Sequence, residues 1–219
     1  MEKIISLILI CFTAITLLQA QIGVDATHTY LITKKDGNPF FWLGDTSWEL
    51  FHRLTREEAI EYLDTRKKQK FNVIMAVALA ELNGLCEPNL YGDVPFKSLE
   101  TLEWATTPGN NPKNTDEYDY WDNMDFVIRE AAKRDMYIGL LPTWGDGPMI
   151  FNNNPDGAYN YTRKLAERYK KQWNIIWILG GDRPAIYQRE GREHDERPVW
   201  RAMARAIEEV YGYDVFITY

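Results

Sequence analysis

Four acidic residues stand just beyond four apolar runs of this sequence. Asp45 follows residues 40–43 and a glycine, and Glu81 follows residues 71–80. Asp146 ends the stretch Pro142-Thr143-Trp144-Gly145-Asp146 after residues 136–141, and Asp182 follows residues 174–179 and two glycines. Two carboxyl groups flanking a bond can cleave a glycoside: one protonates the leaving oxygen while the other attacks the sugar or activates water. Trp48 and Trp144 lie close to two of these acids, and flat indole faces suit the stacking of uncharged rings. Any one acid alone is equally well a helix cap or a solvated loop residue. Four at corresponding positions, two with a tryptophan nearby, point to a site.

Asp182 draws the most attention of the four. Gly180 and Gly181 before it permit close approach of backbone or substrate, and Arg183 beside it can bias its ionisation. It reads as a carboxyl cycling between acid and base, or as half of a permanent ion pair with Arg183. Asp45, Glu81 and Asp146 read as holders of sugar hydroxyls, with Trp48 and Trp144 as stacking platforms. Arg183 could also meet the carboxylate of an acidic sugar. Trp42, Trp173, Trp177 and Trp200 read as core, His52 as either a pocket lining or an ordinary loop histidine. The sequon Asn160-Tyr161-Thr162 falls in a predicted helix and carries little weight.

The elements that would position these residues alternate strictly. An Asp36-Gly37 turn between residues 30–33 and 40–43 predicts a short hairpin. Thr55 with Glu58 three residues on predicts a capping box, and Ala59, Ile60 and Leu63 mark the buried stripe behind it. The continuous apolar run 71–80 suits a strand covered on both faces. Residues 82–119, rich in Asn, Pro, Gly and Asp, form a long loop of the kind that usually carries function. Further helices are expected at Met124, Val127, Ile128 and Ala131, at Ala158, Tyr161, Leu165 and Tyr169 behind an Asn154-Pro155 cap, and at Trp200, Met203, Ala204, Ile207 and Tyr211. Strands are expected at 136–141, 174–179 and 214–219.

Strand and helix in this rhythm mean a parallel α/β sheet, either an open nucleotide-binding sheet or a barrel. The first strand is followed by Gly44-Asp45-Thr46-Ser47-Trp48 and has no Gly-rich phosphate turn, which favours the (β/α)8 barrel. Eight units need about 250 residues. Residues 21–219 are therefore expected to be an incomplete barrel, about four units and a fifth strand behind the hairpin.

The chain has 219 residues and a formal charge of −7, which argues against a nucleic-acid partner. Lys3, the apolar stretch 4–18 and Gln19-Ala20-Gln21 read as a cleaved export signal over residues 1–20. A secreted or periplasmic protein without stable membrane insertion is expected. Cys11 lies inside the signal, so only Cys86 stays after cleavage, and neither a disulfide, a zinc site nor a cofactor is expected.

The segments DGNPFFWLGDTSWELFHRLTREEA, FNVIMAVALAELNGL, YIGLLPTWGD and NIIWILGGDRPA resemble the apiosidase-like catalytic domain of bacterial glycoside hydrolases, from about Tyr30 to Tyr219. The resemblance implies a (β/α)8 barrel, export by a Bacteroidetes-like bacterium, and hydrolysis of apiose-linked side chains of pectin in the plant cell wall. It also implies an acid/base after the fourth strand, where Asp182 stands, and a second carboxylate after the seventh, which lies beyond this chain. Two alternatives stay open: a non-catalytic glycan-binding protein, and an inactive fragment.

Overall fold

The computed structural model describes residues 22–80, 83–145, 150–151, 154–182 and 184–219. The expected export signal lies outside them, and no described helix is long and apolar enough to cross a membrane. Five parallel strands form the central sheet: β3 (Gly44–Thr46), β4 (Val73–Val77), β7 (Tyr137–Leu141), β8 (Ile175–Ile178) and β11 (Ile217–Thr218). They lie side by side in chain order. An open nucleotide-binding sheet reverses direction at a switch point. Here every crossover steps the same way, as barrel winding requires.

Helices fill the crossovers. They are α1 (Leu50–Arg53), α2 (Arg56–Lys68), α3 (Tyr120–Ala132), α4 (Pro155–Tyr169) and α5 (Arg197–Tyr211). The local signals explain their starts. Thr55 and Glu58 close the expected capping box, Asp119 and Asp122 form a second one on α3, and Asn154 caps α4 ahead of Pro155.

Strand alternation separates two cores. Ile74, Ala76, Ile138, Leu140, Ile175 and Trp177 face the helices, where they pack with Leu63, Met124, Leu165 and Met203. Val73, Tyr137 and Ile176 point to the opposite, concave face. Burial on both sides is why these strands read as unbroken apolar runs.

The concave core is capped by a hairpin at one end. β1 (Ile22–Val24) and β2 (Leu31–Thr33) pair antiparallel, and the Asp36-Gly37 turn brings Phe40 back to Leu31 through a 2.7 Å backbone bond. Ile22, Phe40 and Trp42 then cover Val73, Tyr137 and Trp173. These residues stand at or before the strand starts, so the hairpin closes the end opposite the strand C-termini. That leaves the C-terminal end for the site.

Residues 83–119 carry structure of their own. β5 (Phe96–Ser98) and β6 (Glu103–Trp104) form a hairpin, and the Trp104 ring stacks on Trp121 of α3 at 3.5 Å and 14°. A second exposed hairpin, β9 (Ile186–Arg189) with β10 (Arg192–Asp195), lies between β8 and α5.

Candidate active site

Three strand ends meet at the open end of the sheet. After β3 the backbone stays beside β4, with Ser47 donating to Met75 at 2.9 Å and Val77 to the Trp48 carbonyl at 3.1 Å. This fixes Trp48 over the strand ends, where its ring lies 4.7 Å from that of Trp144, tilted by 54°. Both rings are half-buried. The two tryptophans singled out from the sequence thus form one surface.

The glycines before Asp182 are required by their surroundings. Gly180 has φ +86, and a Cβ there would lie 2.6 Å from the Tyr219 ring. A Cβ on Gly181 would come within 2.8 Å of the Gly145 backbone nitrogen and 3.4 Å of the Trp144 ring. The loop after β8 is therefore pressed against the loop after β7 on one side and the end of β11 on the other. Asp182 emerges from this turn exposed to solvent. Trp48, Trp144, the Gly180-Gly181 turn and Tyr219 form a continuous row across the strand ends. Tyr219 was not singled out from the sequence. Its signal was the one used for the others, a position at the end of an apolar run.

Asp45 is placed differently. It pairs in register with Ile74, which faces the helices. Its carboxylate accepts from the Tyr62 hydroxyl at 2.7 Å and pairs with Arg66, both on α2. These are its side-chain partners among the described residues. Burial pushes the Asp45 carboxyl up, but the bonds from Tyr62 and Arg66 outweigh it and hold the group below the ordinary carboxylate range.

A depressed folded value stabilises the fold above the unfolded value, about 3.9, and that stabilisation fades as pH falls through the folded value. Asp45→Asn is expected to cost about 2 kcal/mol at pH 7, as loss of a charged hydrogen-bond acceptor does. The difference in melting temperature from the parent should shrink below pH 4, about the unfolded carboxyl value. A gap that stays constant across a pH series of melts would show that the ion pair contributes nothing.

His52 sits in α1, 4% exposed, and its Nδ1 has no hydrogen-bond partner among the described residues. Burial lowers its pKa, with Glu87 opposing; the imidazole packs against Gly84. Trp177 and Trp200 are buried core residues, and Trp42 and Trp173 pack at the closed end. Thr162 of the sequon is fully buried within α4. Glu81, Asp146 and Arg183 lie outside the described residues.

A sequentially wound parallel sheet with an aromatic surface and a carboxyl at its strand ends defines the wall of a (β/α)8 barrel of glycoside-hydrolase type. The family model for the Apiosidase-like catalytic domain matches residues 25–219, and the chain belongs to that family. A solved glycoside hydrolase family 5 protein from Bacteroides vulgatus ATCC 8482 is 33% identical at a TM-score of 0.70, over 90% of this chain and 39% of its own. A second solved glycoside hydrolase is 35% identical at a TM-score of 0.70, over 90% of this chain and 40% of its own. This chain thus spans about two fifths of their length. The endo-1,4-beta-mannanase of Rhizomucor miehei shares the fold at 11% identity and a TM-score of 0.61, over 90% of this chain and 60% of its own. A stretch of 65 residues is 31% identical to a tRNA (guanine-N(1)-)-methyltransferase of Lachnospira eligens. It covers 30% of this chain and 27% of that one, too little to define a family.

Proposed function

We propose that the strand-end surface belongs to an exported glycoside hydrolase that removes apiose-linked side chains from pectin. The observation that carries this reading is the Trp48–Trp144 surface beside the Gly180-Gly181 turn that presents Asp182. A sugar ring stacks on the indoles, and Asp182 protonates the departing oxygen and later takes a proton from water. The second carboxylate of the pair comes from a later strand of the barrel. Glu81 and Asp146 hold hydroxyls, and Arg183 tunes Asp182 or meets an acidic neighbouring sugar. Family membership and the two solved glycoside hydrolases support the reaction class, while the choice of apiose rests on the family alone.

Calorimetric titration of the chain with an apiose-bearing pectic oligosaccharide tests the surface directly. Binding is expected, and Trp144→Ala should weaken it about tenfold, the scale of losing one stacking face. Chromatography of the oligosaccharide incubated with a protein that carries this region within a complete barrel reads released sugar; binding without release there would mark a glycan-binding protein. Absence of binding, or binding indifferent to Trp144, would contradict the proposal.

A further inference from the structure

The two ends of the sheet carry opposite charge. Residues 83–119, beyond the C-terminal end of β4, hold seven carboxylates against Lys97 and Lys113. The closed end holds the turns that lead into β4, β7 and β8. These carry Lys67, Lys68 and Lys70, then Lys133 and Arg134, then Lys170 and Lys171, with Asp135 as their one acid. In the helical turns just before them, Asp64 and Glu130 hold Arg134, each at 2.8 Å, Glu130 also takes Lys133, and Glu167 pairs with Arg163. Lys68 lies in the field of Asp64. Lys67, Lys70, Lys170 and Lys171 are exposed, and no carboxylate pairs with them among the described residues. A single cation at a helix end answers the helix carbonyls; two or three at each of three ends exceed that need. The turn before β11 differs: Glu208 and Glu209 lie in the last turn of α5, and Asp214 takes Lys34 of the hairpin at 3.1 Å. The cations therefore form an arc over three turns.

The three turns are neighbours. Tyr137 donates to the Asn72 carbonyl at 2.9 Å and Ile138 to the Asn174 carbonyl at 2.7 Å, which ties them side by side. The pairs Arg134–Asp64 and Arg168–Asp125 link the same three helices. Packed helices stand roughly 8–10 Å apart, about one Debye length at physiological salt, so the clusters act on a ligand as one field. Phe41 stands beside the first of them: its carbonyl accepts from the Asn72 side chain at 2.6 Å, two positions after Lys70, and the residue is 78% exposed. An exposed aromatic ring next to unpaired ammonium groups matches a lipid headgroup layer, where rings settle at the interface and lysines meet phosphates. A soluble polyanion makes no use of the ring. The apolar stretch 4–18 also joins the described chain at this end, through Ile22 of the closing hairpin.

We propose that the closed end docks the protein on an anionic lipid surface, with Lys67, Lys70, Lys170 and Lys171 at lipid phosphates and Phe41 in the headgroup layer. A chain of net charge −7 adheres to such a surface in one orientation, because its acidic side is repelled. The tryptophan surface then faces away from the lipid and stays open to a large substrate. None of its residues takes part, so the docking stands apart from the glycan reading.

Cosedimentation of the 219-residue chain with vesicles isolates the charge. One set is phosphatidylcholine alone, the other equal parts phosphatidylcholine and phosphatidylglycerol, and residues 1–21 are common to every arm. The chain should bind the anionic set at least about tenfold more tightly. Replacing Lys170 and Lys171 together by Gln should weaken that binding roughly tenfold, since each lysine near such a surface is worth about a factor of five. The same double change at Lys97 and Lys113 alters net charge equally but sits on the acidic side, and it should leave binding as in the parent. Phe41→Ser should weaken vesicle binding severalfold and leave binding of soluble polyphosphate unchanged. Equal binding to both vesicle sets, absence of binding, or equal loss from the two lysine pairs would overturn the proposal. Vesicle binding indifferent to Phe41→Ser and displaced by polyphosphate would also overturn it, by assigning the arc to a soluble polyanion.

Discussion

Asp182→Asn is expected to lower glycoside turnover by about 10²–10⁴-fold, the usual contribution of a positioned general acid or base. The prediction applies to a protein carrying this region within a complete barrel. Asn matches Asp in size, so the Gly180-Gly181 turn and its contacts with Tyr219 and Gly145 are undisturbed and binding should persist. What is lost is a proton that can be given and taken back. An aryl glycoside whose leaving group departs without protonation should therefore suffer less than a natural substrate in the bond-breaking step. Steady-state kinetics on both substrates read this difference. Unchanged turnover, or equal loss on both, would remove Asp182 from the acid/base role.

The second large effect concerns stability. Trp121→Ala should cost about 3–5 kcal/mol, the range for deleting a buried tryptophan. The side chain is fully buried, stacks on Trp104 and donates from Nε1 to the Pro95 carbonyl at 3.1 Å. It is the fixed point on which the 83–119 segment folds back. Its removal should lower the melting temperature by on the order of 10 °C and admit proteases to that segment first. Trp144→Ala, at a half-buried position, should lower it less. Equal melting temperatures for the two variants would show that the long segment does not depend on the indole stack.

The pattern of what the sequence made legible follows from burial. β4, β7 and β8 stood out because both faces are covered, and the helix starts because their caps are local chemistry. The β9–β10 hairpin did not stand out: most of its residues are exposed, so no apolar alternation marks it. The pairing of Trp104 with Trp121 escaped notice because two residues 17 positions apart meet only after the loop has folded. Strand-end position located the tryptophan surface and the glycine turn, yet it carries no information about which face a side chain takes. Asp45 shows this. The strand is Gly44–Thr46 and not residues 40–43, so Asp45 lies within it, and its register beside Ile74 turns it to Tyr62 and Arg66.

The central claim is that glycan recognition belongs to the strand-end surface of Trp48 and Trp144. The chain has eight tryptophans, each with an indole N–H signal that nitrogen-resolved NMR can follow separately. On titration with an apiose-bearing pectic oligosaccharide, the Trp48 and Trp144 signals should move, while those of the buried Trp121 and Trp177 stay in place. Movement confined to Trp42 and Trp173 at the closed end, or none at Trp48 and Trp144 when the ligand saturates the protein, would contradict the account.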